Sequence, residues 1–335
     1  MNCTSRRERR KVKKTGGHHG DYVMDKHSIV VDVHYHFFPI IPEEFIDLLT
    51  GEIKYGLQKR GEAPDQETLR KLARETLIDP DGRLVKARDK RLGVDVTCIN
   101  ITDFPLPGVD ADLVLRSNKT AADLARQNPG KMFAFAGVDP RRPAAAEIAK
   151  TCLEKYGMVG IKWHPDYGFD PTSPEAYEVL KVLDSAGGIL LTHTGYLPGG
   201  RCKYTSLSLI CDILVDFPEL KVIAAHMGKT AWHEWAGLAH DFPNLYGDLA
   251  VWSRYADRNY EFFCRQLREL TFYAGVEKVL WGTDDPFENY TVPTERFLTM
   301  MRNLSTKAPR GYEFSEEEVD LMLGGNAARL LGVSH

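Results

Sequence analysis

The chain is marked first by what it does not have. No apolar run in its 335 residues approaches 18, so no membrane-spanning helix is expected. The basic N-terminus has no apolar segment behind it and does not read as a secretory signal. The six cysteines (Cys3, Cys98, Cys152, Cys202, Cys211, Cys264) are scattered, with no C-x-x-C pair. They read as reduced, mostly buried thiols, and the expected compartment is the cytoplasm. No glycine-rich turn follows the first apolar run, which counts against a doubly wound dinucleotide-binding sheet.

The charge is unevenly spread. Residues 1–23 hold seven Lys or Arg against Glu8 and Asp21, a net of +5, which leaves −9 for the rest of a chain of net −4. An acidic body argues against a general nucleic-acid surface. The expectation for residues 1–23 is a disordered basic tail or an upstream extension, with Met24 as the natural start. Residues 24–335 then form one domain.

Within that domain one theme repeats: a β-rich apolar run, then an amphipathic helical stretch. Eight runs are found, at 29–36, 94–101, 132–138, 159–164, 188–193, 221–226, 245–249 and 278–284. Helical patterning covers 111–128, 143–156, 174–186, 207–217 and 260–274. Near-continuous apolar strands suit a parallel sheet covered by helices. Eight of them predict an α/β fold, a (β/α)8 TIM barrel. About fifty residues separate the first two strands, long for a connection, so a functional insertion is expected there, with helices at 42–49 and 67–77.

Polar residues gather where these strands end. His34 and His36 sit two apart in Val31-Asp-Val-His-Tyr-His-Phe37 and share one strand face. Strand four ends at Lys162 and His164, strand five at His193, strand six at His226 and strand eight at Asp284. A barrel brings its C-terminal strand ends to one mouth, and a metal ion needs three or more ligands converging on it. Each residue alone has a plain structural explanation, but five strand ends in order predict a metal enzyme.

Here the chain resembles the amidohydrolase superfamily, in its amidohydrolase-related branch. That branch includes aminocarboxymuconate-semialdehyde decarboxylase and the resorcylate-type decarboxylases. The resemblance spans roughly residues 28–333. It rests on Asp32-Val-His34-Tyr-His36, Thr192-His193-Thr-Gly195, Phe217-Pro-Glu-Leu-Lys-Val-Ile-Ala-Ala-His226-Met-Gly228, Gly282-Thr-Asp284 and Gly324-Gly-Asn326-Ala-Ala-Arg329-Leu-Leu-Gly332. It implies His34, His36, His193 and Asp284 as metal ligands. It further implies Asp284 as proton shuttle and His226 as the group that polarises water or substrate. The implied cofactor is a divalent ion, zinc first, with manganese or iron as alternatives and one or two ions left open.

Other assignments stay open. Lys162 is a bridging carbamate in two-metal relatives, a cation for a substrate carboxylate, or part of a structural ion pair. His164 shares its face and binds substrate or supports a ligand. Arg201 pairs with a substrate carboxylate or is a solvated loop cation. Trp163, Tyr167, Tyr196 and Trp252 are candidates for an aromatic pocket, with core packing favoured for Trp163. Asp248 is expected behind a ligand histidine.

The first functional expectation is a metal-dependent hydrolase acting on a C–N or C–O bond of a small carboxylated molecule. The alternative is a metal-dependent non-oxidative decarboxylase (carboxy-lyase). An inactive barrel acting as a binding protein is the third. The expected partner is a small-molecule substrate, with no nucleic acid or membrane; a homo-oligomer is allowed.

Overall fold

The structure, a computed structural model, describes residues 28–104, 108–197 and 199–333. The expectations for residues 1–23 and for Met24 lie outside the described residues. Eight strands form one parallel sheet in sequential order: β1 (Val31–His36), β2 (Val96–Asn100), β3 (Met132–Gly137), β4 (Gly160–Trp163), β5 (Ile189–His193), β6 (Lys221–Ala225), β7 (Leu245–Asp248) and β8 (Val279–Leu280). Each falls inside an apolar run seen in the sequence. Their ends are shorter, and β8 stops after two residues, because the chain turns out of strand geometry on its way to Asp284.

The barrel closes through the segment that follows β8. The Val33 amide donates to the Trp281 carbonyl at 3.1 Å, the Asp284 amide to His34 at 2.8 Å and the His36 amide to Asp285 at 2.7 Å. Its interior is a packed core of Val31, Val33, Val96, Cys98, Phe135, Ile189, Leu191, Ile223, Ala225 and Leu280. The C-terminal helix Asn326–Leu331 adds Ala327 and Ala328 to that core. Glycine is required at position 160. A Cβ there would sit 2.1 Å from the Ile189 carbonyl oxygen and 2.7 Å from the Phe135 ring, which fills the barrel.

The β1–β2 register shifts between Asp32 and Tyr35. Such a bulge re-aims side chains. Val33 stays with the inner core, while its neighbour His34 also turns inward, toward Lys162. Asp32 faces Arg88 of helix Arg83–Leu92.

The insertion between β1 and β2 holds three helices rather than the two expected: α1 (Glu43–Lys59), α2 (Gln66–Thr76) and α3 (Arg83–Leu92). The first two bury Phe45, Ile46, Leu49, Ile53, Leu57, Leu69 and Ala73 in a cluster of their own, joined by Phe38 and Phe104. A Cβ on Gly56 would stand 2.7 Å from the Tyr290 Cβ, so α1 lies directly on the loop beyond β8. The insertion therefore roofs one side of the barrel mouth. A helix at Trp232–Asp241, not predicted as an element, carries His233 and His240 on its exposed side, as expected for surface residues.

Candidate metal centre

The strand ends do converge. The ring centroids of His34 and His36 are 5.1 Å apart, those of His34 and His226 5.2 Å, and those of His193 and His226 4.9 Å. Asp284 Oδ1 lies 2.9 Å from His36 Nε2 and 3.3 Å from His34 Nε2. Ligand-type atoms of His34, His226 and Asp284 fall within 4.8 Å of one another, and so do those of His164, Asp166 and His193. His193 is thus placed between the two groups, 3.2 Å from His226 Nε2 through its Nδ1.

Three of the imidazoles are held from behind. His34 Nδ1 lies 2.9 Å from Asp248 Oδ2, His36 Nδ1 3.1 Å from Thr102 Oγ1, and His226 Nδ1 3.1 Å from the Ala250 carbonyl. These contacts turn the Nε2 atoms toward the cluster, where those of His34, His36 and His226 meet Lys162, Asp284 and His193, the orientation that ligating histidines require. The buried Nε2 atoms of His193 and His164 have no hydrogen-bond partner among the described residues. Buried polar atoms are rarely left unmet, so these two point to a missing ligand. Burial pushes the imidazoles of His34, His193 and His226 well below their usual 6.5, and that of His164 down to about 4. They are neutral near pH 7, the form that binds metal. The residues present therefore fit a divalent cation, with His34, His36, His193, His226 and Asp284 as the donors available to it.

Burial alone would raise the Asp284 carboxyl. The facing imidazoles of His34, His226 and His36 more than reverse this and hold it well below the usual carboxylate range. Lys162 lies 2.8 Å from His34 Nε2, and burial brings its ammonium down to about 8. Lys162 and His164 both turn inward, and His164 Nδ1 rests 3.2 Å from Asp166.

Backbone strain collects here. His226, Met227, Lys229, Val251 and Asp284, at the ends of β6, β7 and β8, have φ between 50° and 71°. Non-glycine residues avoid this region unless the surroundings impose it, and such sites cluster where function is built. A Cβ on Gly282 would meet the His34 Cβ at 2.9 Å, so glycine lets Asp284 follow closely behind β1.

Above the cluster opens a cavity of about 720 Å³, lined by His36, His164, His193 and Asp284 below and by aromatic rings around it. Tyr167 and Tyr196 line it, as does Arg201, an exposed loop residue. Trp163 is in the core against Phe169. Trp252 does not line the cavity: it is buried beneath His226 and donates to its carbonyl. The sequence reading missed Lys229, Arg254, Glu52, Tyr55 and Phe287, all in the lining. They come from the insertion, from the segments that follow β6 and β8, and from the short helix Ser253–Arg258 after β7, where no strand-end pattern marks them.

A parallel barrel whose C-terminal mouth gathers imidazoles and a carboxylate under a cavity walled by aromatic and charged side chains defines a class, the metal-site barrel enzymes. The amidohydrolase family model matches residues 31–333, and the chain belongs to that family. It is an enzyme of the amidohydrolase superfamily. No curated protein sequence matches significantly.

Solved structures share the fold. The 2,6-dihydroxybenzoate decarboxylase from Rhizobium superposes with a TM-score of 0.62 at 18% identity, covering 91% of this chain and 99% of that one. The 5-carboxyvanillate decarboxylase from Sphingomonas paucimobilis gives 0.61 at 18%, covering 92% and 100%. The 5-carboxyvanillate decarboxylase from Novosphingobium aromaticivorans, complexed with manganese and 4-hydroxy-3-methoxy-5-nitrobenzoic acid, gives 0.66 at 16%, covering 92% and 97%. Among the described residues no helix is long and apolar enough to cross a membrane.

Proposed function

We propose that the protein is a metal-dependent non-oxidative decarboxylase of an aromatic acid whose carboxylate sits beside a ring hydroxyl. The observation that carries this reading is the cavity. Tyr55, Phe104, Tyr167, Tyr255 and Phe287 surround the histidine–aspartate cluster, a wall suited to a flat ring. Hydroxybenzoate decarboxylases of the same fold support it, and their bound manganese puts manganese ahead of zinc.

His34, His36, His193 and Asp284 would hold the ion, with His226 beside them. A divalent ion there supplies Lewis-acid attraction for the substrate's carboxylate and hydroxyl oxygens. Asp284, ionised and at the cluster's edge, takes the proton of the ring hydroxyl. It returns that proton to the ring carbon bearing the carboxylate. The carbon–carboxylate bond then breaks, its electron pair restores the aromatic ring as a phenolate, and CO2 leaves. The aromatic wall keeps water from the carbon while it is protonated. His164, backed by Asp166, lies beside His36 and His193 in the cavity lining.

Hydrolysis, the first expectation from sequence, is the second reading. The observation in its favour is Lys162, whose lowered pKa suits carbamate formation beside His34. The test is a substrate panel on manganese-loaded protein. Stoichiometric CO2 from an ortho-hydroxybenzoate supports decarboxylation. Cleavage of esters or amides with no CO2 from any acid overturns it.

A further inference from the structure

Three cations line the cavity: Arg201, Lys229 and Arg254. Arg254 is already matched, since its guanidinium holds the buried Glu288 carboxylate through contacts of 2.6 and 2.9 Å. Arg201 stands in solvent. Lys229 differs from both. It is only 6% exposed, yet among the described residues it forms no ion pair. Its Nζ donates to the Tyr196 carbonyl and lies 5.2 Å from the Tyr196 ring centroid. An ammonium has three N–H donors, so two are left for the cavity. Asp284, Asp166 and Glu288 balance its charge only from a distance, and a buried cation is retained where a closer group can neutralise it.

The backbone fixes this placement. Lys229 has φ 57° and ψ −112°, after Met227 and Gly228 with φ of 50° and 70°. The turn is held by Thr194, whose hydroxyl accepts from the Gly228 amide at 2.8 Å and donates to the Ala225 carbonyl. Burial and the contact with the Tyr196 carbonyl hold the side chain at the cavity wall.

We propose that Lys229 binds a second carboxylate of the substrate, distinct from the group that meets the histidine–aspartate cluster, so that the preferred substrates are aromatic dicarboxylates. This rests on the reading of the cavity as an aromatic-acid site. Arg254, its charge already matched, and Arg201, in solvent, are secondary to it.

The test uses unreactive ligands on the manganese-loaded full-length protein, with binding followed by calorimetry. Benzoate and benzene-1,3-dicarboxylate lack the ring hydroxyl and are not turned over. The expected result is dicarboxylate binding at least tenfold tighter than benzoate. Lys229→Gln should remove that preference by weakening dicarboxylate binding far more than benzoate binding, and Lys229→Arg should retain most of it. Benzoate binding in Lys229→Gln also verifies that the variant is folded. Benzoate binding without a dicarboxylate preference, or a preference that survives Lys229→Gln, overturns the role of Lys229 alone. Failure of both acids to bind overturns the aromatic-acid reading together with it.

Discussion

His34 Nδ1 and Asp248 Oδ2 are 2.9 Å apart, and both side chains are fully buried. The other Asp248 oxygen accepts from the His226 amide at 2.8 Å and the Ala250 amide at 3.1 Å. One carboxylate at the end of β7 thereby sets the ring of His34 and the start of the strained turn that carries His226. Replacing Asp248 with Ala should leave the barrel folded and lower metal affinity roughly 10–100-fold, the usual loss when such a supporting partner is removed. Competition with a chelator checks this. Unchanged affinity would show that His34 needs no such support.

Metal removal should lower stability as well as activity. Five donors gather at the mouth, the buried His34, His36, His193 and His226 and the partly exposed Asp284. An ion present at a hundred times its dissociation constant stabilises the fold by about 2.7 kcal/mol. Chelator dialysis should lower the unfolding midpoint, and added manganese should restore both midpoint and turnover. A midpoint indifferent to chelator and manganese would contradict a resident ion.

Arg88 carries a structural network rather than a catalytic one. Its guanidinium pairs with Asp32, Asp89 and Asp285 and donates to Thr283, tying helix α3 to β1 and to the segment after β8. Arg88→Met leaves the buried carboxylates of Asp32 and Asp285 without their cation. The expected cost is about 3–5 kcal/mol in urea unfolding, the range for breaking a buried pair from one side. A loss below about 1 kcal/mol, the value of an exposed pair, would place the network in solvent.

Asp89 gives a pH signature away from the mouth. Burial raises its carboxyl to about 6, although Arg88 and Thr97 act to lower it. The folded protein therefore holds this proton more tightly than the unfolded chain. Its contribution to stability falls as pH rises from about 4 to about 6 and is flat above. Asp89→Asn should gain on the natural protein across that window, by on the order of 1–3 kcal/mol. Unfolding measured at pH 4, 5, 6 and 7 reads the difference. A constant offset would show that Asp89 titrates normally.

Much of this molecule was legible in its sequence. Parallel barrel strands are buried on both faces, so they appear as apolar runs, and all eight were found. Residues at strand ends were legible for the same reason: once strands are located, His34, His36, Lys162, His164, His193, His226 and Asp284 fall at one end of the barrel. Asp248 was found by the same logic. The rest depended on backbone not encoded by periodicity. The bulge in β1 turns Val33 and His34 to the same side. Left-handed φ values at His226, Lys229 and Asp284 set directions that no pattern of residue types reveals. The cavity wall comes from Tyr55 in α1, Arg254 in the short helix Ser253–Arg258 and Phe287 in the turn after β8, where the deciding fact is which segment folds over the mouth. Trp252 shows the converse error: an aromatic near a strand end that packs beneath His226 instead of facing the cavity.

The choice between decarboxylation and hydrolysis is read most directly by isotopes. The manganese-loaded protein is given an ortho-hydroxybenzoate that it turns over, in deuterated water enriched in oxygen-18, and the organic product is analysed by mass spectrometry. Transfer of the hydroxyl proton through Asp284 to carbon should place one deuterium on the ring carbon that lost CO2, with no oxygen-18 in the product. Asp284→Asn should give no product. Oxygen-18 in the product without deuterium on carbon would contradict decarboxylation and show that water attacks the substrate.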